Sequence, residues 1–207
     1  MVSARDSRTA SARRDDSTPR RADAERNIAT IIATGLELFG RGGNVSMADV
    51  AKAAGVGRVT LYAHFPSRAD LLQALVRRAV EQAEHAMAER PADPGESADQ
   101  TLAGLLAAAW HILDRYRKLR LHALAELGPE YLDRQHDPIR HRLATVVAQG
   151  RDQGVLRADL PVEWLVNVVF SLVHTASDEV EAGRLAPGDV PRLLTSTLLP
   201  ALAAVRR

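Results

Sequence analysis

Residues 46–72 read SMADVAKAAGVGRVTLYAHFPSRADLL. Ser46 and Asp49 have the spacing of a reciprocal capping pair, in which each side chain satisfies a backbone N–H that a helix start leaves free. Val50, Ala51 and Ala54 then make a short inner face, and Gly55 ends that helix after about two turns. After Val56 another short helix is expected over 58–64, with Leu61 and Phe65, four residues apart, turned inward. Two short helices around a glycine-containing turn spell a helix-turn-helix. Pro66 breaks the chain, and Ser67 with Asp70 repeats the capping pair at the head of a long helix. That helix carries Leu71, Leu72, Leu75, Val76, Val80 and Met87 and is expected to stop at Pro91.

Working outward, Ile28, Ile32, Leu36 and Phe39 recur at helical spacing from Asp23 onward, and Gly40, Gly42 and Gly43 stop that helix. Residues 1–22 lack apolar periodicity, carry six arginines against three aspartates, and are expected to form a disordered basic arm. On the other side, PADPGESAD is a loop by composition, and Ser97 with Gln100 opens a helix carrying Leu102, Leu105, Leu106, Ile112 and Leu113. A further helix ends at Gly128-Pro129. Asp137 before Pro138 starts another, with Leu143, Val146 and Val147, that stops near Gly154. Pro161 and Asp189 mark two more starts. The helix over 161–182 is apolar on more than one face, as expected of an element covered both by the core and by a partner. Pro200 should kink the final helix unless it ends there.

The chain of 207 residues has no cysteine, which excludes disulfide scaffolds, thiolate zinc sites and cysteine nucleophiles together. Its net charge of +1 hides an asymmetry: residues 1–68 hold eleven basic and seven acidic side chains, and the remainder sixteen and nineteen. Such a split suggests that only the N-terminal part meets a polyanion. The most apolar stretch, 164–176, is interrupted by Asn167 and His174 and is too short to span a bilayer, so no membrane partner is expected. The N-terminus lacks the apolar centre of a secretory signal. A cytoplasmic location is expected, and the heavy use of arginine, with Lys52 and Lys118 the only lysines, suits a GC-rich bacterial genome.

The second helix of a helix-turn-helix enters the major groove, so its outer face must offer hydrogen-bonding side chains. GRVTLYAHF meets that demand. Arg58 is the expected base reader, because its planar fork matches the O6 and N7 acceptors of guanine. Thr60, Tyr62 and His64 are expected at phosphates, as are Ser46 and the first-turn amides it orients. Lys52 and Arg68 would add charge along the DNA backbone, and the arm's arginines could enter the neighbouring minor groove.

The run from Ser46 to Leu72 resembles the DNA-binding signature of tetracycline-repressor (TetR) family regulators. It combines the Ser-capped helix, the Ala-Gly-Val turn, Thr-Leu-Tyr, His-Phe, and Ser-Arg before leucines. The similarity is dense over residues 24–75 and only architectural beyond residue 90. The stretch from Phe39 to Ser46 is shorter than is usual there and lacks the usual aromatic. The resemblance implies an all-α protein: a three-helix DNA-binding domain over 23–68, joined by the long helix to a helical effector-binding and dimerisation domain over 69–207. It further implies a homodimer that pairs through its last two helices, 161–182 and 189–205, on double-stranded palindromic operator DNA. A small-molecule effector would release that DNA by moving the helix over 67–90. The alternative is an activator or architectural factor with no effector. No enzyme is expected, since a nucleophile elbow, a phosphate-cradling glycine loop and a zincin motif are all missing.

For the effector, the aromatic or polar residues on otherwise apolar helical stretches are Trp110, His111, His122, Tyr131, Asn167, Phe170 and His174. Asn167, Ser171 and His174 lie at helical steps of four and three and make one polar stripe, which could line a pocket or hydrogen-bond across a dimer interface. An aromatic content of only 4% favours an aliphatic or amphipathic ligand over a planar one. His122 with Glu126, or Asp133, His136, Asp137 and His141, could be read as metal ligands. None of these spacings matches a recognised site, so no metal and no cofactor is expected.

Overall fold

A computed structural model describes residues 17–90 and 95–205, which form ten α-helices. They are α1 (Ser17–Arg41), α2 (Met47–Ala53), α3 (Arg58–His64), α4 (Arg68–Ala88) and α5 (Ala98–Arg115). They continue with α6 (Arg117–Leu127), α7 (Pro129–Gln135), α8 (Asp137–Asp152), α9 (Val162–Glu181) and α10 (Val190–Leu202). Residues 17–22, expected to belong to the arm, are instead the first turns of α1. Pro19 falls in the opening turn, where its missing N–H costs nothing, and Ala22 and Ala24 are strong helix formers. Residues 1–16 of that arm, and residues 91–94 of the loop before α5, lie outside the described residues.

The expected caps form. Ser46 and Asp49 close a capping box on α2, and Ser67 and Asp70 close one on α4, where the Asp70 N–H donates to Ser67 Oγ at 3.1 Å. Ser97 and Gln100 do the same for α5. Between α2 and α3 the chain turns through Gly55 at φ +67°, a left-handed conformation that a Cβ would strain. Helices α1 to α4 enclose a core of Ile31, Phe39, Val50, Leu61, Leu71 and Leu75, which Tyr116, at the joint between α5 and α6, and Leu119 of α6 complete.

The remaining core is larger. There α5 packs against α8 and α10, and α9 against α8 and α10, around Leu102, Val147, Val169, Val190 and Leu198. Two backbone bonds, from Arg157 N–H to Leu202 O and from Ala204 N–H to Val155 O, tie the end of α10 to the segment leaving α8. Pro200 does not end α10, which continues two residues further; Pro191 sits in its first turn. The short helix α7 is an addition to the expected set: Gly128 leaves α6 at φ +80° and Pro129 starts the new helix at once.

Candidate DNA interface and the cavity behind it

Helix α3 is only seven residues long, so packing decides its orientation more than intrinsic helix stability does. Leu61 is fully buried and Phe65 nearly so, which fixes the inner face. Arg58, Val59, Tyr62 and Ala63 are exposed, and Thr60 and His64 lie half-buried along the edges. Tyr62 is 48% exposed and Val59 85%. Val59 is the residue that sequence reasoning passed over. A valine this exposed, next to the expected base reader, has no packing role, and apolar side chains at such positions recognise the thymine methyl.

Ser46, Lys52 and Arg68 fall into different surroundings. Lys52 is exposed in the last turn of α2. The Ser46 hydroxyl donates to Asp49 Oδ2 at 2.6 Å and accepts from the Asp49 N–H at 3.2 Å. The hydroxyl, and then the Ser46 N–H at 2.9 Å from the same oxygen, hold the Asp49 carboxyl below its usual range, which spends the hydroxyl inside the cap. Arg68, expected on the DNA backbone, is drawn the other way. Its guanidinium pairs with Glu126 of α6, donates from Nε to Val45 O at 3.4 Å, and lies 5.2 Å from the centroid of the Phe39 ring. A carboxylate and an aromatic face within reach on the adjoining helices outcompete solvent for this side chain.

Helix α4 follows the recognition helix after three residues, Phe65 to Ser67, and its cap fixes the joint. About 12 Å further along, from Val76 onward, α4 becomes the wall of a cavity. The cavity measures about 120 Å³ as the space open to the centre of a water-sized sphere. That is several times what one water needs. Val76, Val80, Ala83 and Met87 supply the α4 side; Leu105, Ile112 and Leu113 come from α5, Ile139 and Leu143 from α8, and Val169, Phe170 and Val173 from α9. Tyr116 and Leu119 line it as well, although both belong to the core under the DNA-binding helices. Tyr116 also donates its hydroxyl to Gln82 of α4 at 2.8 Å.

One end of the cavity is polar. Arg120, His136 and His174 line it. The His136 ring lies 5.6 Å, centroid to centroid, from both the Phe170 and the His174 rings. Arg140 stacks 4.3 Å over Phe170, donates to Asn167 Oδ1 at 2.6 Å and pairs with Asp133. Burial, followed by the charge of Arg140, holds His136 below the ordinary histidine value. Burial, followed by Arg120, His136 and Arg140, holds His174 at about 4. Both imidazoles are therefore neutral at pH 7; the His136 N–H is taken by the Leu132 backbone, whereas His174 has one N–H and one lone pair to offer.

Of the residues singled out for a ligand, Phe170 and His174 reach the cavity. Trp110 is buried and donates from Nε1 to Pro187 O at 3.0 Å, pinning α5 to the turn before α10. His111 is exposed on the outer face of α5. His122 sits at the domain junction, edge-on to Phe39 at 5.2 Å, and burial and Arg68 lower its pKa. Tyr131 packs beside Val76, Ala123 and Leu132 without lining the cavity. The stripe on α9 divides, with Asn167 and Ser171 exposed and His174 turned inward. Arg120 went unrecognised and His136 was weighed only as a metal ligand, because a charged residue on α6 and a histidine in a helix joint look solvated until three helices bring them together. Among the described residues no group of three His, Asp or Glu side chains could hold a metal ion, and no helix is long and apolar enough to cross a membrane.

Comparison with known proteins agrees with this geometry. The family model "Bacterial regulatory proteins, tetR family" matches residues 31–75, from the middle of α1 into α4. An HTH-type transcriptional regulator of Staphylococcus aureus is 42% identical over 66 residues, 30% of this chain and 35% of the relative. The match thus spans about a third of that relative's length. Among solved structures, a transcriptional regulator from Saccharomonospora viridis, crystallised in complex with choline, is 23% identical with a TM-score of 0.74, over 88% of this chain and 100% of that one. A TetR-family regulator from Rhodococcus sp. is 22% identical with a TM-score of 0.71, over 86% of this chain and 98% of that one. At such identities these structures speak for the fold, while the match over 31–75 speaks for the DNA-binding helices. Together they show a DNA-binding segment of the tetR type over residues 31–75, within an all-helical fold shared with TetR-family regulators.

Proposed function

We infer that the protein is a homodimeric repressor that leaves a palindromic operator when a small molecule fills the cavity behind α4. The observation that carries this reading is the sharing of Tyr116 and Leu119 between the cavity lining and the core that seats α3. Any ligand that repositions these two side chains, or the α4 residues opposite them, acts on the support of the recognition helix. Two recognition helices must sit about 34–36 Å apart to meet successive major grooves, so a small change in the tilt of α4 shifts affinity. A coupling of roughly 1–3 kcal/mol between the two sites makes a working switch. The choline-bound relative supports a ligand in this type of domain.

Arg58 is assigned to a guanine edge, Val59 to a thymine methyl, and Thr60, Tyr62, His64 and Lys52 to phosphates. Dimerisation is assigned to α9 and α10, where Trp164 stands 55% exposed on a helix otherwise rich in buried valine. The test is an electrophoretic shift on an operator chosen by selection from random DNA. Arg58→Ala combined with Tyr62→Phe should abolish the shift. Sequence-specific binding retained by the double variant would remove α3 as the reader.

A further inference from the structure

The polar end of the cavity has a sign. Arg120 lines it from α6, and its guanidinium is mostly buried, 17% exposed. Arg140, on α8, stands directly behind Phe170 and is 24% exposed, with its Nε buried and unpartnered. The carboxylates that face these arginines are Asp178 on α9, 3.4 Å from Arg120, and Asp133 on α7, beside Arg140. These are 59% and 68% exposed, so water screens the negative charges more than the positive ones. Between the two arginines lie the neutral rings of His136 and His174; His136 already hydrogen-bonds the Leu132 backbone, which leaves His174 as the N–H donor for a ligand. Toward the opposite wall, Val80, Ala83, Met87, Leu105 and Leu143 leave no polar partner for a ligand atom.

We propose that the cavity takes an amphipathic monocarboxylate, with an aliphatic body along α4 and α5 and its anionic head between Arg120 and His174. This rests on reading the cavity as the effector site. An uncharged apolar molecule would fill the aliphatic part and leave Arg120 with Asp178 alone, a carboxylate that water screens. A cationic head would meet Arg120 in the lining and the charge of Arg140 behind Phe170, both mostly withdrawn from water. A polyanion is excluded by size and by the single arginine in the lining. Burial, and then the arginine charges, keep His174 neutral, and a seated carboxylate offsets the second of these causes. Arg120, Arg140, Asp133, Asp178 and His136 are the charged and titratable groups around that imidazole.

The test compares decanoate, decyltrimethylammonium and decanol, all below their micellar concentrations, by calorimetry and thermal shift on the full-length protein. Decanoate is expected to bind at least about tenfold tighter than the cation. Arg120→Met should bring the anion-to-cation ratio towards one. Asp178→Asn, at an exposed position, should raise that ratio and serves if the first variant does not fold. Equal or tighter binding of the cation, no binding of decanoate, or a ratio insensitive to both substitutions would each overturn the proposal. Release of operator DNA is read separately. Decanoate that binds without releasing DNA would refute the effector reading and leave the head-group assignment standing. Release by the cation alone would do the reverse.

Discussion

Arg68→Ala is expected to lower stability while leaving the salt dependence of DNA binding unchanged. The side chain is 30% exposed and its partner Glu126 29%, so their ion pair contributes on the order of 0.5 kcal/mol. The stacking on Phe39 at 5.2 Å adds about 0.5–1 kcal/mol. The bond to Val45 O, at 3.4 Å, is too long to add much. The expected loss is therefore about 1–1.5 kcal/mol, or a fall in Tm of roughly 2–6 °C for a chain of this size. Thermal unfolding at fixed protein concentration measures it, and a double-mutant cycle with Glu126→Ala isolates the pair. Operator affinity measured by anisotropy over a salt series gives the other half. If Arg68 held a phosphate, its loss would reduce the slope of log K against log salt by about one. An unchanged Tm together with a reduced slope would refute the placement of Arg68 at the domain junction.

Two further outcomes follow from the structure. An unfolded histidine takes up its proton near 6.5, whereas native His174 stays neutral down to about 4, so its contribution of about 3 kcal/mol is complete above pH 6.5 and lost as the pH falls towards 4. His136 acts in the same direction, whereas the lowered carboxylates of Asp49 and Glu96 matter only below their ordinary range. Tm should fall between about pH 7.5 and about pH 5, and His174→Phe should flatten that fall; a flat wild-type profile would contradict the buried neutral imidazole. Trp164→Glu places a charge on the exposed face of α9 and is expected to shift the protein from dimer to monomer in sedimentation equilibrium at micromolar concentration. An unchanged dimer would place the interface elsewhere.

The helix starts were legible because they are local. Ser46 with Asp49, Ser67 with Asp70 and Ser97 with Gln100 each satisfy backbone groups within one turn, and each forms where the spacing put it. Helix α7 was not legible, since seven residues with Leu132 alone buried carry no periodicity. The opening turns of α1 were missed for the same reason: they carry no apolar stripe. At the DNA face, the inward turn of Leu61 and Phe65 follows from spacing. Arg68 could not be assigned from spacing, because its partners Phe39 and Glu126 come from elements distant in sequence. The cavity was the least readable part. Its polar end is assembled from α6, α9 and the joint before α8, and neither Arg120 nor His136 differs locally from a solvated residue.

The most direct measurement is a hydroxyl-radical footprint of the protein on its selected operator, alone and with decanoate. Two protected backbone segments, centred one helical turn or about 34–36 Å apart and both lost with the Arg58→Ala, Tyr62→Phe variant, are the expected result. Protection of a single segment, or a footprint that survives those substitutions, would contradict the assignment of α3 as the paired reading element.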